Sequence, residues 1–219
     1  MRGADLLRDR GKHAEAVRVY DQWLRDHPFD PIAWNHKGMC LRALGDPAGA
    51  MQCFEQALLH DSGCWSALNN KGALLRDEAL LPEAVEAFSV AVALTLDPAP
   101  RENLAATLTD LGTRLKRVGK SLEAISKYEE ALEVKADFAP AWFNLGFALA
   151  EENRMEEAVK SYLKALEARP DYLEALCNLG VIYKDSGRLD EAIACYERAR
   201  ACSPNCEIVN ANLVSLQRG

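Results

Sequence analysis

The chain has 219 residues, 49% hydrophobic and 27% charged, with a net charge of −7 and a pI near 5.2. It holds no apolar run near the roughly 20 residues a membrane span needs, no charged–apolar–cleavage pattern at its start and no block of like charge, which argues against a membrane or nucleic acid as partner. Seven scattered cysteines, an odd number without framework spacing, point to a reduced setting in the nucleus and cytoplasm.

An internal period organises the rest. Gly38 and Gly72 lie 34 residues apart, and Gly112, Gly146 and Gly180 keep the same interval in a second register. Ala50 and Ala84, then Ala124, Ala158 and Ala192, repeat it, as do Phe54 and Phe88, then Tyr128, Tyr162 and Tyr196. In chain order this predicts helix pairs over about 1–30, 31–64, 65–98, 105–138, 139–172 and 173–206, then a solitary helix over 207–217. The first pair reads as truncated, because Met1 falls where its first helix should already be under way. There Trp23 stands where later units have alanine. It either plugs space left by the shortened helix or forms an exposed anchor for self-association, giving a homodimer through the N-terminal repeats.

From Gly72 to Gly112 the step is 40, so about six residues are inserted near 99–104. Asp97 suits an N-cap and Pro98 a first helical residue. The insertion therefore reads equally as a surface loop or as the start of a longer helix.

Packing explains the period. Leu145, Gly146 and Leu149 share one helical face, and Ala158, Tyr162 and Ala165 share another. Small residues let the two helices approach while the aromatic ring fills the space beside them. A single pair cannot bury its apolar side alone, so neighbours must stack.

No catalytic constellation is visible. Cys53, His60 and Cys64 come nearest to a metal-ligand spacing, and Cys202 and Cys206 straddle Pro204. Small buried cysteine accounts for these more simply. There is no phosphate-binding glycine loop and no Ser–His–Asp pattern; Glu156 and Glu157 sit at a helix start, where the helix dipole favours them. The expectation is a chain with no cofactor, no metal and no enzymatic chemistry of its own.

The polar residues that repeat are asparagines. Asn70, Asn144, Asn178 and Asn212 occupy one position, immediately before the recurrent Leu or Lys of the first helix, with His36 and Asp110 breaking the series. Asparagine suits a helix interior poorly, so it has either a structural task, bridging neighbouring helices, or a recognition task, bonding the backbone of a passing peptide.

The 34-residue unit, with W/L-x-x-L-G-x-x-Y/L in its first helix and A-x-x-x-F/Y-x-x-A-x-x-x-x-P in its second, resembles the tetratricopeptide repeat (TPR). The resemblance implies an all-α, right-handed superhelical solenoid with a concave groove. The basic clamp of co-chaperone TPR domains is not visible, since Asn35, Asn69, Ala106, Thr109 and Asp110 stand at the matching positions. The stretches LTDLGTRLKRVGKSLEAISKYEEAL (108–132), ALCNLGVIYKDSGRLDEAIACYERA (175–199) and SPNCEIVNANL (203–213) are similar to the TPR region of SPINDLY-like plant protein O-fucosyltransferases, relatives of the O-GlcNAc transferases.

That resemblance implies a substrate-recruiting arm, with Asn70, Asn144, Asn178 and Asn212 lining a groove for extended polypeptide, and a capacity for self-association. It leaves two expectations: an arm of a larger glycosyltransferase, or a stand-alone scaffold that assembles a protein complex.

Overall fold

The computed structural model describes residues 1–217, which form thirteen α-helices and, among the described residues, no strand. The helices alternate as first and second members of pairs. They are α1 (Arg2–Asp9) with α2 (His13–Asp26), α3 (Pro31–Ala43) with α4 (Pro47–His60), and α5 (Trp65–Asp77) with α6 (Leu81–Leu94). There follow α7 (Pro98–Arg117) with α8 (Ser121–Val134), α9 (Ala139–Glu151) with α10 (Met155–Ala168), α11 (Leu173–Asp185) with α12 (Leu189–Cys202), and α13 (Glu207–Gln217). Two compact units result, Met1–Thr107 and Leu108–Gly219, and their boundary falls inside α7.

The recurrent glycines make the pairs. A Cβ built on Gly38 would lie 2.6 Å from the Phe54 ring, on Gly72 2.9 Å from Phe88, on Gly112 2.6 Å from Tyr128, on Gly146 3.0 Å from Tyr162 and on Gly180 2.8 Å from Tyr196. Those rings are wholly or almost wholly buried, as is Tyr20 of the first pair, where Ala4 holds the glycine's place. The seam of each of these five pairs is thus one aromatic ring packed against a glycine of the partner helix.

Turns repeat as faithfully. Gly11, Gly45, Gly119 and Gly187 end the first helices with φ between +73° and +81°, and Ala79 and Asn153 take the same place with φ of 61° and 59°. The chain then reverses through a Schellman-type pair of bonds, as where Gly119 N–H donates to Lys116 O and Lys120 N–H to Leu115 O, both at 3.0 Å. Asp30 and Asp46 cap α3 and α4 ahead of prolines, accepting from Ile32, Ala33 and Gly49 backbone N–H.

The inserted residues are helical, not a loop. Asp97 Oδ1 accepts from Ala99 N–H at 2.9 Å, and α7 runs 20 residues from Pro98 where α3, α5, α9 and α11 have 13. The extension makes a contact of its own in the first unit, where Asn103 Nδ2 donates to Asn69 Oδ1 at 2.9 Å.

Candidate functional site

The asparagine position follows, by sixteen residues, the aromatic ring of the preceding second helix, and the partners of the asparagines differ from repeat to repeat. In the first unit Phe54 has no hydroxyl to offer, and Asn70 instead donates to Asn35 Oδ1 (2.9 Å), whose own amide donates to Ser66 Oγ (3.2 Å). In the second unit Asn178 of α11 donates to the Tyr162 hydroxyl at 3.2 Å. Burial pushes the Tyr162 hydroxyl up to about 12, against a smaller downward pull from that bond, so the phenol stays neutral.

Tyr128 is satisfied otherwise, 3.3 Å from Thr113 Oγ1. The asparagine that follows it, Asn144 of α9, is half-buried, and its side-chain amide makes no hydrogen bond among the described residues. Asn212 of α13 accepts from Lys184 Nζ at 3.4 Å, while the Tyr196 hydroxyl is buried without a partner. Asn144, Asn178 and Asn212 therefore recur at one position on α9, α11 and α13 of the second unit, and each retains hydrogen-bonding capacity beyond its internal contact. Asn70, in the first unit, is drawn into a chain of helix-bridging amides.

The equivalent of this position in α3 is His36. Its Nδ1 lies 2.9 Å from Asp5 Oδ1, which also accepts from the Tyr20 hydroxyl at 2.8 Å. Burial and the nearby Arg8 hold the His36 imidazole below its ordinary pKa, outweighing the pull of Asp5. Burial raises Asp5, but the bonds from Tyr20 and His36 outweigh it and leave the carboxyl below its usual range.

Trp23 stacks on His27 with ring centroids 3.9 Å apart, and its Nε1 donates to Asp30 Oδ2 at 2.8 Å. It packs against the buried cluster of Ala4, Ala16, Tyr20 and Leu24. These contacts are all local to the first helix pair and to the turn that follows it. Cys53 and Cys64 are buried and His60 lies edge-on to Phe29. Burial holds the Cys53 thiol up at about 11. No group of three His, Cys, Asp or Glu side chains among the described residues could hold a metal ion.

A concavity in the second unit has Asn178 in its wall. Its volume is about 840 Å³, its wall is mostly apolar, and Phe147, Ala150, Val181, Ile182, Asn178 and Asp185 line it. Sequence reading missed its importance because no single residue there is unusual; only the columns of the aligned repeats single it out.

Comparison with known proteins follows the same lines. Models described as tetratricopeptide repeat match residues 137–205 and residues 1–58 and 42–100. A probable UDP-N-acetylglucosamine–peptide N-acetylglucosaminyltransferase SPINDLY from Hordeum vulgare is 44% identical over 149 residues, covering 67% of this chain and 16% of the relative. The protein of the same description from Oryza sativa is 44% identical over 147 residues, again 67% of this chain and 16% of the relative. The chain thus spans less than a fifth of the curated relatives it matches. Among solved structures, YrrB, described as a TPR protein with an unusual peptide-binding site, aligns at 20% identity and a TM-score of 0.58 over 89% of this chain and 97% of that one. A MamA protein aligns at 22% identity and 0.57 over 80% and 92%.

Proposed function

This chain belongs to the tetratricopeptide-repeat family, and from that premise we propose that it is the polypeptide-recognition arm of a SPINDLY-like protein O-glycosyltransferase of the nucleus and cytoplasm, with O-fucose as the sugar its resemblance implies. The arm holds extended polypeptide along the first helices of its second unit and presents it for modification elsewhere. The similarity to SPINDLY proteins supports the assignment to a glycosyltransferase. The observation that carries the binding mode is the asparagine series, above all Asn144, whose half-buried amide makes no internal hydrogen bond among the described residues. An amide both donates and accepts, so it can take one N–H and one C=O of a passing backbone whatever the ligand's side chains.

The test is binding of a degenerate, fluorescein-labelled nonapeptide pool by anisotropy. One such hydrogen bond contributes about 0.5–1.5 kcal/mol net. Asn144→Ala should therefore weaken binding by roughly two- to ten-fold with no loss of helicity, since alanine is the better helix former. Replacing Asn144, Asn178 and Asn212 together should weaken it roughly ten- to a thousand-fold if the effects add. Unchanged affinity in a folded triple variant would end the reading.

A further inference from the structure

The C-terminal ends of the first helices carry a recurring ion pair between repeats. In the first unit Arg42 Nη2 of α3 lies 2.6 Å from Asp77 Oδ2, and in the second unit Lys116 Nζ of α7 lies 3.2 Å from Glu151 Oε2. Each pair joins the residue four places after the recurrent glycine to the residue five places after the glycine of the next repeat. The carboxylates Asp77 and Glu151 are the last residues of α5 and α9. The negative end of a helix dipole disfavours a carboxylate there, so the cation of the preceding repeat offsets a local cost.

One repeat further on, the rung is broken. The carboxylate is present as Asp185, the last residue of α11, but the cation position is Ala150. The Asp185 carboxylate makes no hydrogen bond or ion pair among the described residues. Two nearby cations are engaged elsewhere: Lys184 Nζ is 3.4 Å from Asn212 Oδ1, and Arg188 is held by Glu191 and lies 4.3 Å from the Tyr183 ring centroid. Lys160 of α10 also lines the cavity, exposed and one turn after Glu156, and makes no ion pair among the described residues. Where a long side chain from position 150 would pass, there is instead the mostly apolar cavity of about 840 Å³, walled by Phe147, Val181 and Ile182 with Asp185 at its edge. The preceding rung shows how a basic side chain uses such a wall: Lys116 Nζ lies 3.7 Å from the Phe147 ring centroid while it pairs with Glu151.

We propose that the cavity takes a lysine or arginine side chain of a bound polypeptide, with its methylene stem along Phe147 and Val181 and its charge on Asp185. The ligand supplies in trans the cation that Arg42 and Lys116 supply within the chain. A basic side chain fits both properties of the site, since its stem is apolar and its head is charged. The proposal rests on the reading that the inner face of the second unit holds polypeptide, and it names the residue that face selects.

The probe is a set of three fluorescein-labelled nonapeptide pools, degenerate over uncharged residues except for one position fixed as arginine, lysine or norleucine. Norleucine keeps the stem and lacks the charge. Against the full chain, the arginine and lysine pools should bind roughly five-fold tighter than the norleucine pool, the upper range for an ion pair open to water, and added salt should shrink the gap. Asp185→Asn, a change at an exposed site, should bring the three pools to one affinity, whereas Glu133→Gln, which removes an exposed carboxylate of α8, should leave the gap in place. Ala150→Lys should weaken the two basic pools by restoring the rung within the chain. Equal binding of all three pools to the unaltered chain, or a gap that survives Asp185→Asn, overturns the proposal and leaves the asparagine groove standing. Binding of no pool overturns both.

Discussion

Gly112→Ala sets two effects of known sign against each other. Alanine is the better helix former by about 1 kcal/mol. The new methyl, however, would lie 2.6 Å from Tyr128 Cε1, 2.9 Å from Cδ1 and 3.1 Å from the Ala124 carbonyl oxygen. Carbon atoms in ordinary contact sit about 3.5–4.0 Å apart, so the gap is short by about an ångström. Neither neighbour can yield easily: Tyr128 and Ala124 are fully buried, and the Tyr128 hydroxyl is tied to Thr113. Overpacking of this kind costs about 1–3 kcal/mol, and at this separation the upper half of that range applies. The net expectation is a loss of about 1–2 kcal/mol, read as a fall in Tm of about 2–8 °C by circular dichroism at 222 nm. Gly3→Ala is the control, because a Cβ there meets nothing within 4 Å; it should leave stability unchanged or raise it by up to about 1 kcal/mol. Gly112→Ala/Tyr128→Leu should recover part of the loss that adding the two single changes would predict. If Gly112→Ala raised Tm as Gly3→Ala does, ring-on-backbone packing would not be what the glycine serves.

Three other changes follow from the geometry. Ala79→Gly should stabilise the first unit by about 0.5–1 kcal/mol in urea denaturation, because relief of a left-handed residue (about 1–2 kcal/mol) exceeds the unfolded-state entropy added by glycine (about 0.4–1 kcal/mol). Asn153→Gly, where asparagine already tolerates that conformation, should give less. His36 has a folded pKa below its ordinary 6.5, so the unfolded chain binds the proton first and stability is lost as pH falls from 7.5 through 6.5; His36→Asn should flatten that slope in thermal melts at pH 5.5 and 7.5. Trp23→Ala should lower the stability of the first unit by about 1–3 kcal/mol with no change in sedimentation coefficient, and a shift from dimer to monomer would show that the ring serves association instead.

The parts of this fold legible in the sequence are those that packing repeats. Gly146 and Tyr162 recur because a close backbone approach and the ring that fills it are needed in every pair, so the period and the helix pairs could be read before any coordinates. The task of each asparagine was not legible in the same way. Asn70 and Asn178 occupy equivalent positions, yet one bonds Asn35 and the other Tyr162. Phe54 has no hydroxyl to offer Asn70, yet a hydroxyl sixteen positions earlier does not decide the matter either, since Asn144 and Asn212 follow Tyr128 and Tyr196 without bonding them. The lengthened α7 was ambiguous because Asp97 and Pro98 suit a turn as well as a helix start. The broken rung at Ala150 and Asp185 left no periodic apolar signal at all, and only the intact pairs Arg42–Asp77 and Lys116–Glu151 reveal that anything is missing.

The seven residues by which α7 exceeds the other first helices add about 10 Å of helix. They are added ahead of the seam, so Gly112 meets the Tyr128 ring as Gly146 meets Tyr162. Length inserted at the start of a first helix is therefore silent in phase: no later side chain is rotated off its seam, whatever the number of residues gained. Insertions and deletions accumulated over evolutionary time should be tolerated at such starts and purged from the stretch between the glycine and its ring. The same asymmetry marks the segment from Thr95 to Pro98 as a place where an epitope or a reporter could be spliced without unseating any pair.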